Sequence, residues 1–147
     1  MNLEQQQQIY NLNRTFNGIN AAYADIAKKY GLNYNSFMVI YNMESMEKCT
    51  QKKLCDSLML SKSTVHSILL SFMEKGYVEL QNDTGNKKER IIVPTAEGKS
   101  FFEEVCKGTH EIEEAVLNEM GQKSCDMYLA LSEQYEMILK KNVEGIN

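Results

Sequence analysis

The run Ser61-Lys62-Ser63-Thr64-Val65-His66-Ser67 sets hydroxyls, an ammonium and an imidazole around a single apolar residue. Such side chains donate to and accept from both base edges and phosphates. Further along, Lys87, Lys88 and Arg90 place cations in a short polar segment, from which long side chains reach a phosphate backbone or a minor groove. Thr50 and Gln51, ahead of the first run, are further polar candidates for the same surface. The chemistry these residue types offer together is recognition of double-stranded DNA, with one group reading bases and another anchoring phosphates.

Other chemistries are less well supplied. The chain has two histidines, His66 and His110, and neither a glycine-rich phosphate loop nor a nucleophile elbow, so catalysis is not expected. Glu111, Glu113 and Glu114 read as a solvated helix face. Cys106 and His110 stand at i and i+4, a spacing that can hold a transition metal if a neighbouring helix adds ligands. A buried cysteine beside a half-exposed histidine fits the same spacing better, and no cofactor is expected. Cys49 follows Lys48 and precedes a helix start, both of which favour a thiolate and so a redox sensor, although packing is the simpler role. Cys55, beside Leu54 and Leu58, reads as packing. No C-x-x-C pairing is present among Cys49, Cys55, Cys106 and Cys125, which argues against a zinc ribbon.

The candidate DNA-reading residues need elements to hold them, and the sequence specifies these in order. A short helix spans Thr50–Leu58, and Met59-Leu60 makes a tight turn. Ser61 then caps a second helix, accepting an otherwise unpaired backbone N–H. Val65, Ile68, Leu69 and Phe72 fall at i, i+3, i+4 and i+7, one apolar face, and leave the polar run on the other side. Gly76 is placed to close that helix in the left-handed conformation. Val78 and Leu80 alternate before a turn rich in Asp83, Gly85 and Asn86, and Ile91 and Val93 alternate after it, which predicts a hairpin. Helix, turn, helix and hairpin make a winged helix-turn-helix, with Lys87, Lys88 and Arg90 at the wing. Taken alone, the second helix equally fits an ordinary amphipathic helix; the hairpin tips the balance.

This stretch resembles the MarR family of bacterial transcription regulators. The likeness runs from Thr50-Gln51-Lys52-Lys53-Leu54 through Leu60-Ser61-Lys62-Ser63-Thr64-Val65 and Glu74-Lys75-Gly76-Tyr77-Val78-Glu79 to Pro94-Thr95-Ala96-Glu97-Gly98. Asn86-Lys87-Lys88 stands where the family usually has Asp-Arg-Arg, Pro94 where it has Leu, and Ser67 and Ser71 where it commonly has Arg. The resemblance implies a mainly helical fold of six helices with a small hairpin wing, and a homodimer built on the N- and C-terminal helices. It also implies a repressor of transcription, released by a ligand, that binds an inverted repeat.

The rest of the chain fits that plan. With 147 residues, 43% of them hydrophobic, it can form one respectable core as a single domain spanning 1–147. Residues 48–95 would be the reading head, and 3–31 and 97–145 the dimerisation helices. Net charge is −4, yet residues 48–90 carry eight cations against five carboxylates, so the reading head is positive and the remainder acidic. Ile9, Leu12, Phe16, Ile19, Tyr23, Ile26 and Tyr30 alternate three- and four-residue spacings, a narrow seam that suits a partner helix. Tyr34, Phe37, Met38, Val39, Ile40, Tyr41 and Met43 predict a helix apolar nearly all round, hence buried. Phe102, Val105, Ile112 and Val116 mark a long helix, ended at Gly121, and Tyr128, Leu131, Tyr135 and Ile138 a last one. Tyr23, Phe37, Met38 and Tyr41 are candidates for a pocket taking a small aromatic effector, although core packing accounts for them as well. No signal-peptide pattern or membrane span is apparent, so a cytoplasmic protein is expected. A winged-helix module that docks proteins without binding DNA, and a redox- or metal-sensing variant of the regulator, are the alternatives.

Overall fold

The computed structural model describes residues 1–82 and 90–146. Its elements are α1 (Leu3–Lys29), α2 (Tyr34–Glu44), α3 (Gln51–Leu58), α4 (Lys62–Glu74), β1 (Val78–Asn82), β2 (Arg90–Pro94), α5 (Ala96–Met120) and α6 (Gln122–Glu144). Two compact units result, Met1–Lys107 and Gly108–Asn147, and the boundary falls inside α5. Lys87 and Lys88 lie outside the described residues.

In the first unit each helix starts on a side chain that satisfies its unpaired amides. Asn2 caps α1 and Asn33 caps α2, while the hydroxyls of Thr50 and Ser61 accept from Lys53 N and Thr64 N. The buried face of α4 is the predicted one, Val65, Ile68, Leu69 and Phe72. It packs into a core shared with Phe37, Val39 and Ile40 of α2, Leu54 of α3, Val78 and Ile92 of the hairpin, and Phe102 and Val105 of α5. Phe72, 1% exposed, meets the Phe102 ring at 5.7 Å between centroids, and Tyr77 stacks on Phe101 at 4.9 Å. Burying one such ring stabilises the fold by roughly 1.5–3 kcal/mol, so this aromatic group fixes how α4, the hairpin and α5 meet.

Two turns set the direction of the reading elements. Met59 closes α3 with φ 51, a left-handed residue that is not glycine. That conformation costs an L side chain about 1–2 kcal/mol. The position of this turn is legible in the sequence; its handedness is not. At the far end of α4, Gly76 has φ 71, Gly76 N donates to Met73 O at 2.9 Å, and Tyr77 N donates to Phe72 O at 2.8 Å. These paired bonds satisfy the last carbonyls and swing the chain directly into β1.

The hairpin pairs antiparallel, with Val78 opposite Pro94, Leu80 opposite Ile92 and Asn82 opposite Arg90. It is not confined to two strands. Thr50 forms a bridge with Ile91, and Ile92 N donates to Cys49 O at 2.9 Å. The residues that start α3 therefore also hold the root of the wing. Thr95 joins the next element: its hydroxyl donates to Gly76 O at 2.6 Å and accepts from Gly98 N at 3.0 Å, capping the first turn of α5.

In the second unit, α5 reaches Gly121 and α6 follows. No residue of α6 is buried. Tyr128, Leu131 and Ile138 are 48%, 57% and 49% exposed.

Candidate nucleic-acid interface

The first unit presents one end of the α3–α4 pair with most of the sequence-predicted residues on it. Lys62, Ser63, His66 and Ser67 are exposed, opposite the buried face of α4. Gln51 ties the two helix starts together, because its Nε2 donates to Lys62 O at 2.9 Å. Lys53 Nζ donates to Lys48 O at 2.7 Å, so this ammonium also fixes the loop before α3. Arg90 is exposed at the outer end of β2, opposite Asn82, and begins the return strand of the wing.

The hydroxyls at the start of α4 are not equivalent. Ser61 Oγ lies 2.9 Å from Ser63 Oγ and 2.8 Å from Thr64 Oγ1, and accepts from Thr64 N at 3.1 Å. Ser67 Oγ donates to Ser63 O at 3.0 Å. The serines and the threonine thus hold the first turn as one cap cluster, with acceptor capacity left over. His66 has no side-chain partner among the described residues, so both ring nitrogens are available. Thr50 is buried, caps α3 and bridges to Ile91 at the wing root.

Leu70, which sequence periodicity merely left off the buried face, is 41% exposed. It follows Ser63 by seven residues, His66 by four and Ser67 by three, and so shares their face.

The other candidate chemistries fare as follows. Cys49 is buried, and burial pushes its thiol up to about 11, outweighing the attraction of the Lys53 ammonium. Desolvation therefore disfavours the thiolate there, in keeping with the packing role that was the simpler reading of this cysteine. Because the folded state holds this thiol protonated, its contribution to stability is complete below pH 9 and is lost as pH rises from 9 towards 11. Chemical denaturation across that window should show the midpoint falling less steeply for Cys49→Ala than for the wild type. Identical profiles would place Cys49 in water. Cys106 is buried as well. His110 Nδ1 sits 3.1 Å from Glu113 Oε2. Among the described residues no three metal-ligating side chains gather.

Of the pocket candidates, the Phe37 ring lies 6.2 Å from Tyr23 and 5.9 Å from Tyr41 between centroids and is itself fully buried, and Met38 packs partly buried against the same core. A cavity of about 140 Å³ lies elsewhere in the same unit, lined by Ile40, Met43 and Glu44 at α2 and by Pro94, Lys99, Phe102, Glu103 and Cys106.

A helix pair with an exposed polar start, a left-handed turn between its members and an antiparallel hairpin after the second is a winged helix-turn-helix. Residues 30–89 match the MarR family. The HTH-type transcriptional regulator SarZ of Staphylococcus epidermidis is 29% identical over 99 residues, and the match covers 67% of this chain. The chain spans 64% of that relative's length. SarZ of Staphylococcus haemolyticus is 33% identical over 76 residues, 52% of each protein. Among solved structures, a MarR family regulator from Neisseria meningitidis superposes over 100% of both chains with a TM-score of 0.85 at 22% identity. A Staphylococcus aureus MarR, solved with salicylate and kanamycin, superposes over 95% of both chains with a TM-score of 0.73 at 17% identity. Over residues 30–89 the chain is similar to the MarR family, and its fold is that of the solved MarR family regulators. The two curated relatives are named HTH-type transcriptional regulators.

Proposed function

We propose that this chain is a homodimeric transcription regulator that binds an inverted repeat in double-stranded DNA. The observation that carries the reading is α4 itself, which is held rigidly at its start by the Ser61 cap cluster and Gln51 and turns His66 and its exposed neighbours outward. A helix so held can enter a major groove, with the wing lying over the adjacent backbone. Arg90, together with Lys87 and Lys88 from the sequence, supplies the wing's charge.

Dimerisation is supported by exposed apolar surface among the described residues. In α1 only Ile26 and Ala27 are buried, while Ile9 and Ile19 of the seam are 39% and 37% exposed. The exposed stripe of α6 offers similar surface. A two-fold pairing through these helices would set two reading heads about one DNA turn, roughly 34–36 Å, apart. No helix among the described residues is long and apolar enough to cross a membrane, which agrees with a cytoplasmic site of action.

The effector in this reading is a small aromatic compound, as in the salicylate complex of the Staphylococcus aureus neighbour. The packed group Tyr23, Phe37, Met38 and Tyr41 would have to open for it, whereas the cavity beside Phe102 is already formed. A dry cavity of about 150 Å³ can hold one benzene ring; at this one Lys99 is paired with Glu103 at 3.8 Å and Glu44 also lines the space. Ligand release of a repressor is the mode of regulation we infer. Selection of bound genomic fragments, with sedimentation of the complex, tests the whole reading. A dimer on fragments sharing an inverted repeat is expected; a monomer at micromolar concentration, or no enriched sequence, would overturn it. Low charge on α4, where Lys62 is the sole cation, favours a protein-docking module as the second reading.

A further inference from the structure

We infer that Leu70 reads DNA sequence, by packing on the C5-methyl group of a thymine in the major groove. This rests on the DNA-binding reading above and adds a residue to it. On α4 the outward face is Ser63, His66, Ser67, Leu70 and Glu74, at i, i+3, i+4, i+7 and i+11, directly opposite Val65, Ile68, Leu69 and Phe72. Leu70 sits at the centre of that face and is 41% exposed. It lies about 10 Å along the axis from Ser63, at 1.5 Å per residue, so a helix laid in the groove brings both to the base edges.

The neighbouring chemistry leaves Leu70 a specific task. The hydroxyls of Ser63 and Thr64 are engaged in the cap cluster, and Ser67 donates to the helix backbone. His66 is then the side-chain hydrogen-bond donor of this face without a partner among the described residues. Past it the face offers an isobutyl group and then a carboxylate, Glu74, which phosphates repel. The feature of a base pair that an isobutyl group can distinguish is the thymine methyl, which no other base carries in that groove.

The test removes that methyl without touching a hydrogen bond. On the selected binding site, each dT is replaced in turn by deoxyuridine, and affinity is measured for wild type and Leu70→Ala. Burial of one methyl-sized group is worth about 0.8 kcal/mol, so wild type should lose about fourfold at one thymine of each half-site. Leu70→Ala, which removes the contact in both half-sites, should lose nothing there, while binding the unmodified site about as weakly as wild type binds a site with both thymines replaced, roughly 15-fold. Circular dichroism and dimer mass of the variant should match wild type, since the residue is exposed. A wild-type affinity indifferent to every replacement, or a methyl effect that persists in Leu70→Ala, overturns the inference while sequence-specific binding stands. Retained methyl reading with loss of a protein partner in Leu70→Ala would assign this side chain to docking and equally overturn it. Absence of any sequence-specific binding would instead bring down the DNA-binding reading itself.

Discussion

Gly98→Ala is expected to cost about 4 kcal/mol or more and to leave little folded protein at growth temperature. A Cβ at this position would stand 1.8 Å from Tyr77 O and 2.6 Å from Tyr77 C, which are backbone atoms that no rotamer change can move aside. The closeness has a purpose. Thr95 caps α5 while donating to Gly76 O, so the first turn of α5 must lie on the turn that ends α4 and begins the wing. Separating them to admit a methyl would break that hydrogen bond and part the Tyr77–Phe101 stack, 4.9 Å between centroids. A domain is held by only about 5–15 kcal/mol, so a loss of this size is decisive. Gly18→Ala is the internal control, because nothing lies within 4 Å of its added Cβ and it sits inside α1. That substitution should gain about 0.5–1 kcal/mol from helix propensity. Equal urea midpoints for Gly98→Ala and wild type would show that α5 does not rest on this turn.

His66→Ala should cost about 1–3 kcal/mol on the preferred DNA site, roughly a 5- to 150-fold loss of affinity, with relaxed preference at the base pair it faces. The same substitution should leave non-specific affinity nearly unchanged. Ser63→Ala should behave differently. Its hydroxyl is held by Ser61 Oγ at 2.9 Å, so its loss loosens the cap cluster and appears first in stability. Removing a helix cap contact typically costs about 0.5–2 kcal/mol. Competition binding on the selected site and on each single-base variant separates the two effects. A flat competition profile for Ser63→Ala beside a distorted one for His66→Ala is expected; the reverse order would make the serine the reader.

Most of the frame was legible because its signals are local. The apolar spacing of Val65, Ile68, Leu69 and Phe72, the caps at Thr50 and Ser61, and Gly76 after Lys75 each act within a few residues, and α3, α4 and the strands fall where these place them. What escaped depends on residues far apart in the chain. Nothing near Cys49 or Thr50 announces a bridge to Ile91, since an isolated pairing has no periodicity to read. The bond from Gln51 to Lys62 spans a turn whose left-handed Met59 is not a residue that usually signals one. Cys49 illustrates a magnitude that sequence cannot weigh, because the adjacent Lys48 is visible and the burial that outweighs nearby charge is not. Leu70 was not singled out in the sequence, because its exposure at the centre of the reading face needed the packed helix. Tyr23, Phe37 and Tyr41 read as core or as pocket lining, and their ring contacts and the open space beside Phe102 needed the three-dimensional packing.

The salt dependence of DNA affinity tests the central claim most directly. If each of two reading heads neutralises at least two phosphates, log affinity should fall against log salt with a slope of about −3.6, or about 150-fold between roughly 50 and 200 mM. Arg90→Ala should make that slope shallower by about one unit for each wing engaged, on specific and non-specific DNA alike. A slope near zero, with Arg90→Ala indistinguishable from wild type, would contradict DNA binding by this winged helix and leave protein docking as its role.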